Sequence, residues 1–312
     1  MSACTQHYMR SALEKQEFKM VRNIKIALLL IVCIAMGQLM AQDATKTAEY
    51  FTDSLNFANT PQRKTNELPL SHQDDTSWIL RTAISDEFEE GTLNREKWYD
   101  TNPTWLGRKP SMLHKDNVAL KNGELILSIN NAESPNYPQG YTHNIGWVVS
   151  KESVTYGYFE MKAKLMDAPW VSCFWLYNWW YTDNWRTEID ICENNPGVVE
   201  NRHTLTSNLH VFSAPPDKGD VTELKSFGQN YYIPFELQKE YHVWGLEWNK
   251  HVIRWYLDGI LFRESENVYW HQNLHINLNS ESNKWLYAFP DDERLDTTYN
   301  IDYIRVWKKD TD

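Results

Sequence analysis

The chain has 312 residues, a formal net charge of −11 and an aromatic content of 14%, including 15 Trp. The acidic balance argues against nucleic acid as a partner, and the length suits one large β domain or two small ones. Fifteen Trp are more than a core of that size needs, which leaves indole surface for stacking on apolar ligand faces such as sugar C–H groups.

Residues 20–25 form a basic segment and residues 26–37 an apolar run, followed by a small-residue cleavage site at Leu39-Met40-Ala41. The run is shorter than the about 20 residues of a membrane span, so 1–41 reads as an upstream segment plus a secretory signal peptide. This implies a secreted, periplasmic or cell-surface protein with no stable membrane insertion. Removing 1–41 takes away five basic and two acidic groups and moves the net charge from −11 to −14. Of the four Cys, Cys4 and Cys33 go with it. Cys173 and Cys192 remain, either as a disulfide of an exported protein or as buried thiols.

Residues 42–75 are polar and rich in Thr, Asn and Gln, and read as a linker or disordered lead-in. The folded domain is expected over 76–312. Residues 105–110 (Trp-Leu-Gly-Arg-Lys-Pro) form a turn-rich loop carrying Trp105 and Arg108; the Arg offers fork-shaped donors to hydroxyls or a sulfate. Two alternating runs flank Asn122-Gly123, the strongest hairpin signal in the chain. Further strands are expected over 147–150 and 156–165. Trp175, Trp179, Trp180 and Trp185 then lie just ahead of Arg186.

Residues 186–194 hold three acids, Glu188, Asp190 and Glu193, within β-branched surroundings, and read as a strand. Strict alternation would put Glu188 and Asp190 on one face and Glu193 on the other. One extra residue between Asp190 and Glu193, a β-bulge, returns Glu193 to the Glu188 face. Ile189 and at least one of Ile191 or Cys192 then serve the core. Two carboxylates about 5–5.5 Å apart suit retaining glycoside hydrolysis, and a third between them separates their protonation by like-charge repulsion. The plainer reading is a solvated acidic edge strand, which the neighbouring Trp cluster argues against.

Downstream, Asn208 and His210 share a strand face, 213–235 reads as a long loop, and Asp258-Gly259 closes a second strand pair. Residues 274–281 and 299–307 are the last strands. No phosphate loop, zinc spacing, heptad or internal repeat is present. The class is all-β.

The run from Glu188 to Glu193 resembles the bulged catalytic motif of glycoside hydrolase family 16, and Phe174-Trp175-Leu176 resembles the strand before it. Residues 85–98 are similar to that family's opening signature and 157–165 to its Gly-Tyr-Phe-Glu-Met-Lys strand. Within the family the chain most resembles the marine galactanases: β-agarases, β-porphyranases and, more distantly, κ-carrageenases. The resemblance implies a jelly-roll β-sandwich of two antiparallel sheets with a concave substrate cleft. It implies Glu188 as nucleophile, Asp190 as its supporting acid and Glu193 as general acid/base. Trp105, Arg108, Trp175, Trp180, Arg186, His210, Glu281 and Trp285 are the expected substrate contacts, with Arg186 alternatively holding the acids in place. No cofactor is expected for catalysis. A structural calcium would use Asp302 with an acid near Asp86 or Glu87.

The implied activity is endo-acting, retaining cleavage of β-1,4-galactosidic bonds in red-algal galactans by a monomer, porphyran favoured over agarose. The loop at 105–108 argues against a β-1,3-glucan such as laminarin. A lectin-like carbohydrate-binding protein and a transglycosylase are the competing classes; the presence of all three acids disfavours the former.

Overall fold

The structure, a computed structural model, describes residues 49–51 (main chain only), 55–102, 104–132, 137–180, 185–214, 224–282 and 294–309. The signal-peptide reading over 1–41 and the substrate contact expected at Trp285 fall outside these residues.

Two large sheets stack as a sandwich. The nine-stranded sheet runs, edge to edge, through Glu49–Phe51, Gln229–Tyr232, Thr204–Ser213, Arg186–Asn194, Val171–Tyr177, Leu274–Glu281, Trp147–Val154 and Trp98–Tyr99, with Lys225–Ser226 paired beside Thr204–Ser213. The eight-stranded sheet runs through Ile260–Glu266, Val252–Leu257, His242–Trp248, Gly157–Lys164, Tyr299–Lys309, Glu124–Leu127 and Val118–Lys121, with Trp78–Leu80 beside Tyr299–Lys309. Pairing within both is antiparallel except for Glu49–Phe51, which joins Gln229–Tyr232 in parallel. The acid-bearing strand is therefore interior, with neighbours on both sides.

Both expected hairpins form. Asn122-Gly123 and Asp258-Gly259 each take positive φ at two successive residues (57° and 78°; 50° and 78°), the conformation that matches a two-residue turn to the twist of its strands.

The inner faces of the sheets supply alternating apolar residues such as Ile189, Leu176, Ile276, Leu246 and Ile304, all buried. Of the 15 Trp, nine are buried, among them Trp98, Trp244, Trp248, Trp255 and Trp307. Trp105, Trp175, Trp179, Trp180 and Trp185 are half-buried. The core thus takes most of the indoles, and only a minority remain for a ligand.

The linker reading of 42–75 is corrected for the described part, 55–75. Glu160, fully buried on Gly157–Lys164, receives Arg63, the Leu70 N–H (2.7 Å) and the Tyr303 hydroxyl (2.9 Å). Gln73 bonds the Leu68 and Pro69 carbonyls, and Trp307 Nε1 donates to the Glu67 carbonyl (2.7 Å). A Cβ on Gly259 would lie 2.4 Å from Pro61, so the segment packs directly on that turn. The compact unit starts at Glu49 rather than near residue 76. Polar composition misled here because those polar groups are partners for buried polar groups on the sheet, not for water. The loop read over 213–235 is corrected for part of its described residues, since Lys225–Ser226 and Gln229–Tyr232 are strands.

Candidate active site

Register fixes the faces of the acid strand. Trp175 stands opposite Asp190, Phe174 opposite Cys192 and Cys173 opposite Glu193, so Ile191 is the extra residue of a bulge. Residues directly opposite one another in a sheet share a face. One row across the sheet is therefore Glu193, Cys173, Asn279 and Trp147. The next is Asn208, Asp190, Trp175, Asn277, Val149 and Tyr99, and a third is His210, Glu188, Tyr177 and His275. All three acids lie on the outer face, as the bulge requires. Ile189, Ile191 and Cys192 go to the core. Cys173 packs in a separate small cluster with Val171 and Trp175. The two thiols are free and on opposite faces, which removes the disulfide alternative.

The strand is held from beneath by two core indoles. Trp255 Nε1 donates to the Asp190 carbonyl (3.0 Å), and Trp270 Nε1 is shared between the carbonyls of Glu188 (2.9 Å) and His210 (3.1 Å). On the outer face, His210 Nε2 lies 3.2 Å from Asp190 Oδ2 and 3.8 Å from Glu188 Oε1. Its other ring nitrogen is 2.7 Å from Ser226 Oγ, which fixes the ring's orientation. Asp190 Oδ2 is buried with no other hydrogen-bond partner.

Four carboxylates converge here, with Arg108 beside them. Burial, then the charges of Asp190, Glu193 and Glu281, push the Glu188 carboxyl well above the usual range, while Arg108 opposes the rise. Burial likewise raises Glu281, again against Arg108, whose Nε lies 3.3 Å from Glu281 Oε2. Glu188 and Glu281 therefore hold their protons above the ordinary carboxylate range.

The loop at 105–110 is fastened to the end of Leu274–Glu281. Ser111 Oγ lies 2.7 Å from Ser282 Oγ and accepts from the Ser282 N–H (3.1 Å). Gly107 has φ 116°, and a Cβ there would sit 2.5 Å from the Ser111 carbonyl, so the turn that presents Arg108 requires glycine. The Arg108 side chain remains 49% exposed, leaving the ends of its fork accessible.

Of the expected contacts, Trp105 stacks on Trp179 (centroids 5.5 Å, 17°) and meets Trp147 edge-on. Trp175 and Trp179 donate to Asn279 (2.7 Å) and Asn277 (2.8 Å). Trp180 packs edge-on against His275. Arg186 lies over the Phe212 ring (5.6 Å), which stacks beside His210. Trp185 stands apart from the stacked group, near His271. Sequence reasoning missed Ser226, Asn277, Asn279, Tyr177 and the two supporting indoles. The alternation His275, Asn277, Asn279, Glu281 was the available signal for the asparagines.

The residues expected to hold calcium each have other partners. Asp302 pairs with Lys162 (2.5 Å), Glu87 clasps Arg305 through both oxygens (2.7 Å each), and Asp86 accepts from Trp98 Nε1 and the Phe88 N–H. As placed, these residues do not fit a calcium ion. Among the described residues, the one close group of three acids or histidines is Glu188, Asp190 and His210, with ligand atoms within 4.8 Å. No helix among the described residues is long and apolar enough to cross a membrane.

A jelly-roll sandwich bearing a bulged Glu-x-Asp-x-x-Glu strand, with indoles along the same face, defines a glycan-directed enzyme scaffold. A family model described as β-porphyranase A–D, glycoside hydrolase family 16 domain, matches residues 78–309. The chain belongs to glycoside hydrolase family 16. It is 30% identical over 225 residues to β-porphyranase B of Zobellia galactanivorans, covering 66% of this chain and 74% of that protein. It is 26% identical over 284 residues to the κ-carrageenase of Pseudoalteromonas carrageenovora, covering 77% and 67% respectively. The crystal structure of porphyranase B from Z. galactanivorans superposes with a TM-score of 0.65 at 26% identity, covering 74% of this chain and 92% of that one.

Proposed function

We propose that the protein is a secreted, monomeric, endo-acting retaining glycosidase that cleaves β-1,4-galactosidic bonds in red-algal galactans, porphyran in preference to agarose. The observation that carries the reading is the bulge at Ile191, which places Glu188, Asp190 and Glu193 on one outer face. In this reading Glu188 attacks the anomeric carbon while Glu193 protonates the departing oxygen. Water, deprotonated by Glu193, then releases the sugar from Glu188. Asp190, with His210, orients Glu188 and disfavours ionisation of every acid at once. Folding raises the proton affinity of Glu188 itself, so in this reading Glu188 gives up its proton before it attacks, and Glu193 carries the proton that the departing oxygen takes.

The preference for porphyran rests on Arg108, half-exposed and bound through Nε to Glu281, with the rest of its fork available for an ester sulfate. A reducing-end assay on porphyran, agarose, κ-carrageenan and laminarin tests the substrate, with porphyran expected to be cut fastest. Proton NMR of the first product tests the stereochemistry: a β anomer is expected, and an α anomer would contradict retention. Binding without release of reducing ends would favour the lectin-like alternative.

A further inference from the structure

We propose that Tyr99, Lys151 and Trp180 form a distal subsite that takes a sulfated unit of the galactan chain held at the acids. This rests on the galactanase reading and adds a second place where charge is recognised.

Tyr99 ends the row that begins at Asn208 and Asp190 and crosses Trp175, Asn277 and Val149. Four strand steps separate it from Asp190, about 19 Å at the usual strand spacing. Its neighbour Trp98 is buried in the core and bonds Asp86, so alternation turns Tyr99 to the outer face, where it is 38% exposed. A chain laid across the strands from the acids reaches this ring at the sheet edge.

The surroundings hold the ring in place. Trp180 lies 5.5 Å from Tyr99 at 42°, and is itself edge-on to His275 at 4.6 Å. His275 is fixed by its Nδ1, 2.8 Å from the Ser150 carbonyl. The Lys151 ammonium sits 4.8 Å from the Tyr99 centroid, and the Lys151 N–H donates to the Lys97 carbonyl (2.8 Å). Among the described residues no carboxylate pairs with Lys151. That is notable in a chain of net charge −11, where Arg108 on the same face is bound to Glu281 and Arg186 lies over the Phe212 ring.

An ammonium held over a partly exposed aromatic ring matches a sulfated sugar: the sulfate meets the cation, and C–H groups meet the exposed parts of Tyr99 and Trp180. The acids at the centre repel an anionic chain, so a cation at the far end both draws it in and sets it across the strands.

The test uses the full chain. KM and kcat are measured on porphyran and on agarose for the wild type, Lys151→Gln, Trp180→Ala and the control Lys121→Gln, a lysine on the opposite sheet. In a Glu188→Gln background, calorimetry measures binding of long and short sulfated galactan oligosaccharides. Lys151→Gln is expected to lower the porphyran-to-agarose ratio of kcat/KM about tenfold, mainly through KM, one charge contact's worth of affinity. It should also weaken long oligosaccharides more than short ones. Trp180→Ala is expected to weaken long chains of both polymers, and Lys121→Gln to match the wild type. An unchanged ratio for Lys151→Gln in an enzyme that cleaves porphyran would overturn the subsite alone. A wild type that cleaves neither galactan would overturn the galactanase reading and the subsite with it.

Discussion

Asp190 and Glu193 are three residues apart in sequence but two apart in register, because Trp175 and Cys173 face them across the sheet and Ile191 has no partner. That mismatch puts a second glutamate on the face of the first. It also crowds three carboxylates, with Glu281 near them, around one partly buried space.

The crowding has a stability signature. A carboxyl whose proton affinity is raised by folding makes the native state bind more protons than the unfolded chain, so stability falls as pH rises above the ordinary Glu value of 4.5. Below that value both states are protonated and nothing is lost. Glu188→Gln should therefore melt higher than the wild type at pH 7, by about 2–4 °C for a gain on the order of 1 kcal/mol. The gap should close towards pH 4, and calorimetric scans across that range check it.

Arg108 holds down the proton affinity of Glu188 and Glu281. Replacing it by Met should move the acid limb of the kcat/KM profile on uncharged agarose to higher pH, because Glu188, the proposed nucleophile, then ionises later. A limb that stays put, or moves down, would place Arg108 outside the electrostatics of the acids.

Trp270 serves the site without facing it. Trp270→Phe removes the N–H shared by the Glu188 and His210 carbonyls and should cost about 1–3 kcal/mol, with kcat falling more than KM changes. Trp244, whose Nε1 has no hydrogen-bond partner, is the control: Trp244→Phe should leave kcat near the wild-type value even where it lowers the melting temperature.

The N-terminal segment is the least expected stabilising element. Arg63→Ala removes the cation bonded to fully buried Glu160 and leaves Arg305 opposite it in register, so the loss should be about 1–3 kcal/mol, that of a hydrogen bond to a charged group. Urea unfolding should show this loss. Adding Glu160→Gln should return part of it, since a neutral group is cheaper to leave without that bond.

Local patterns carried much of this structure. The acids and their bulge, the hairpins at Asn122-Gly123 and Asp258-Gly259 and the all-β class were readable from alternation and turn chemistry. What escaped depends on register. The row from Asp190 to Tyr99 joins five strands drawn from residues 98 to 194 and 274 to 281, and no sequence window contains it. Ser226 lay in a stretch whose Pro and Gly residues signal a loop. Residues 55–75 have the composition of a linker because their partners, Glu160, Tyr303 and Trp307, lie far along the chain. The opposite faces taken by Cys173 and Cys192 likewise follow only from the pairing.

The most direct test of the central claim is reducing-end release by Glu188→Gln and Glu193→Gln on the galactan that the wild type cleaves best, with melting curves run alongside to show both variants folded. Each variant is predicted to lose about 10²–10⁴-fold or more in turnover. Near-normal turnover in either would contradict a double displacement shared by these two side chains.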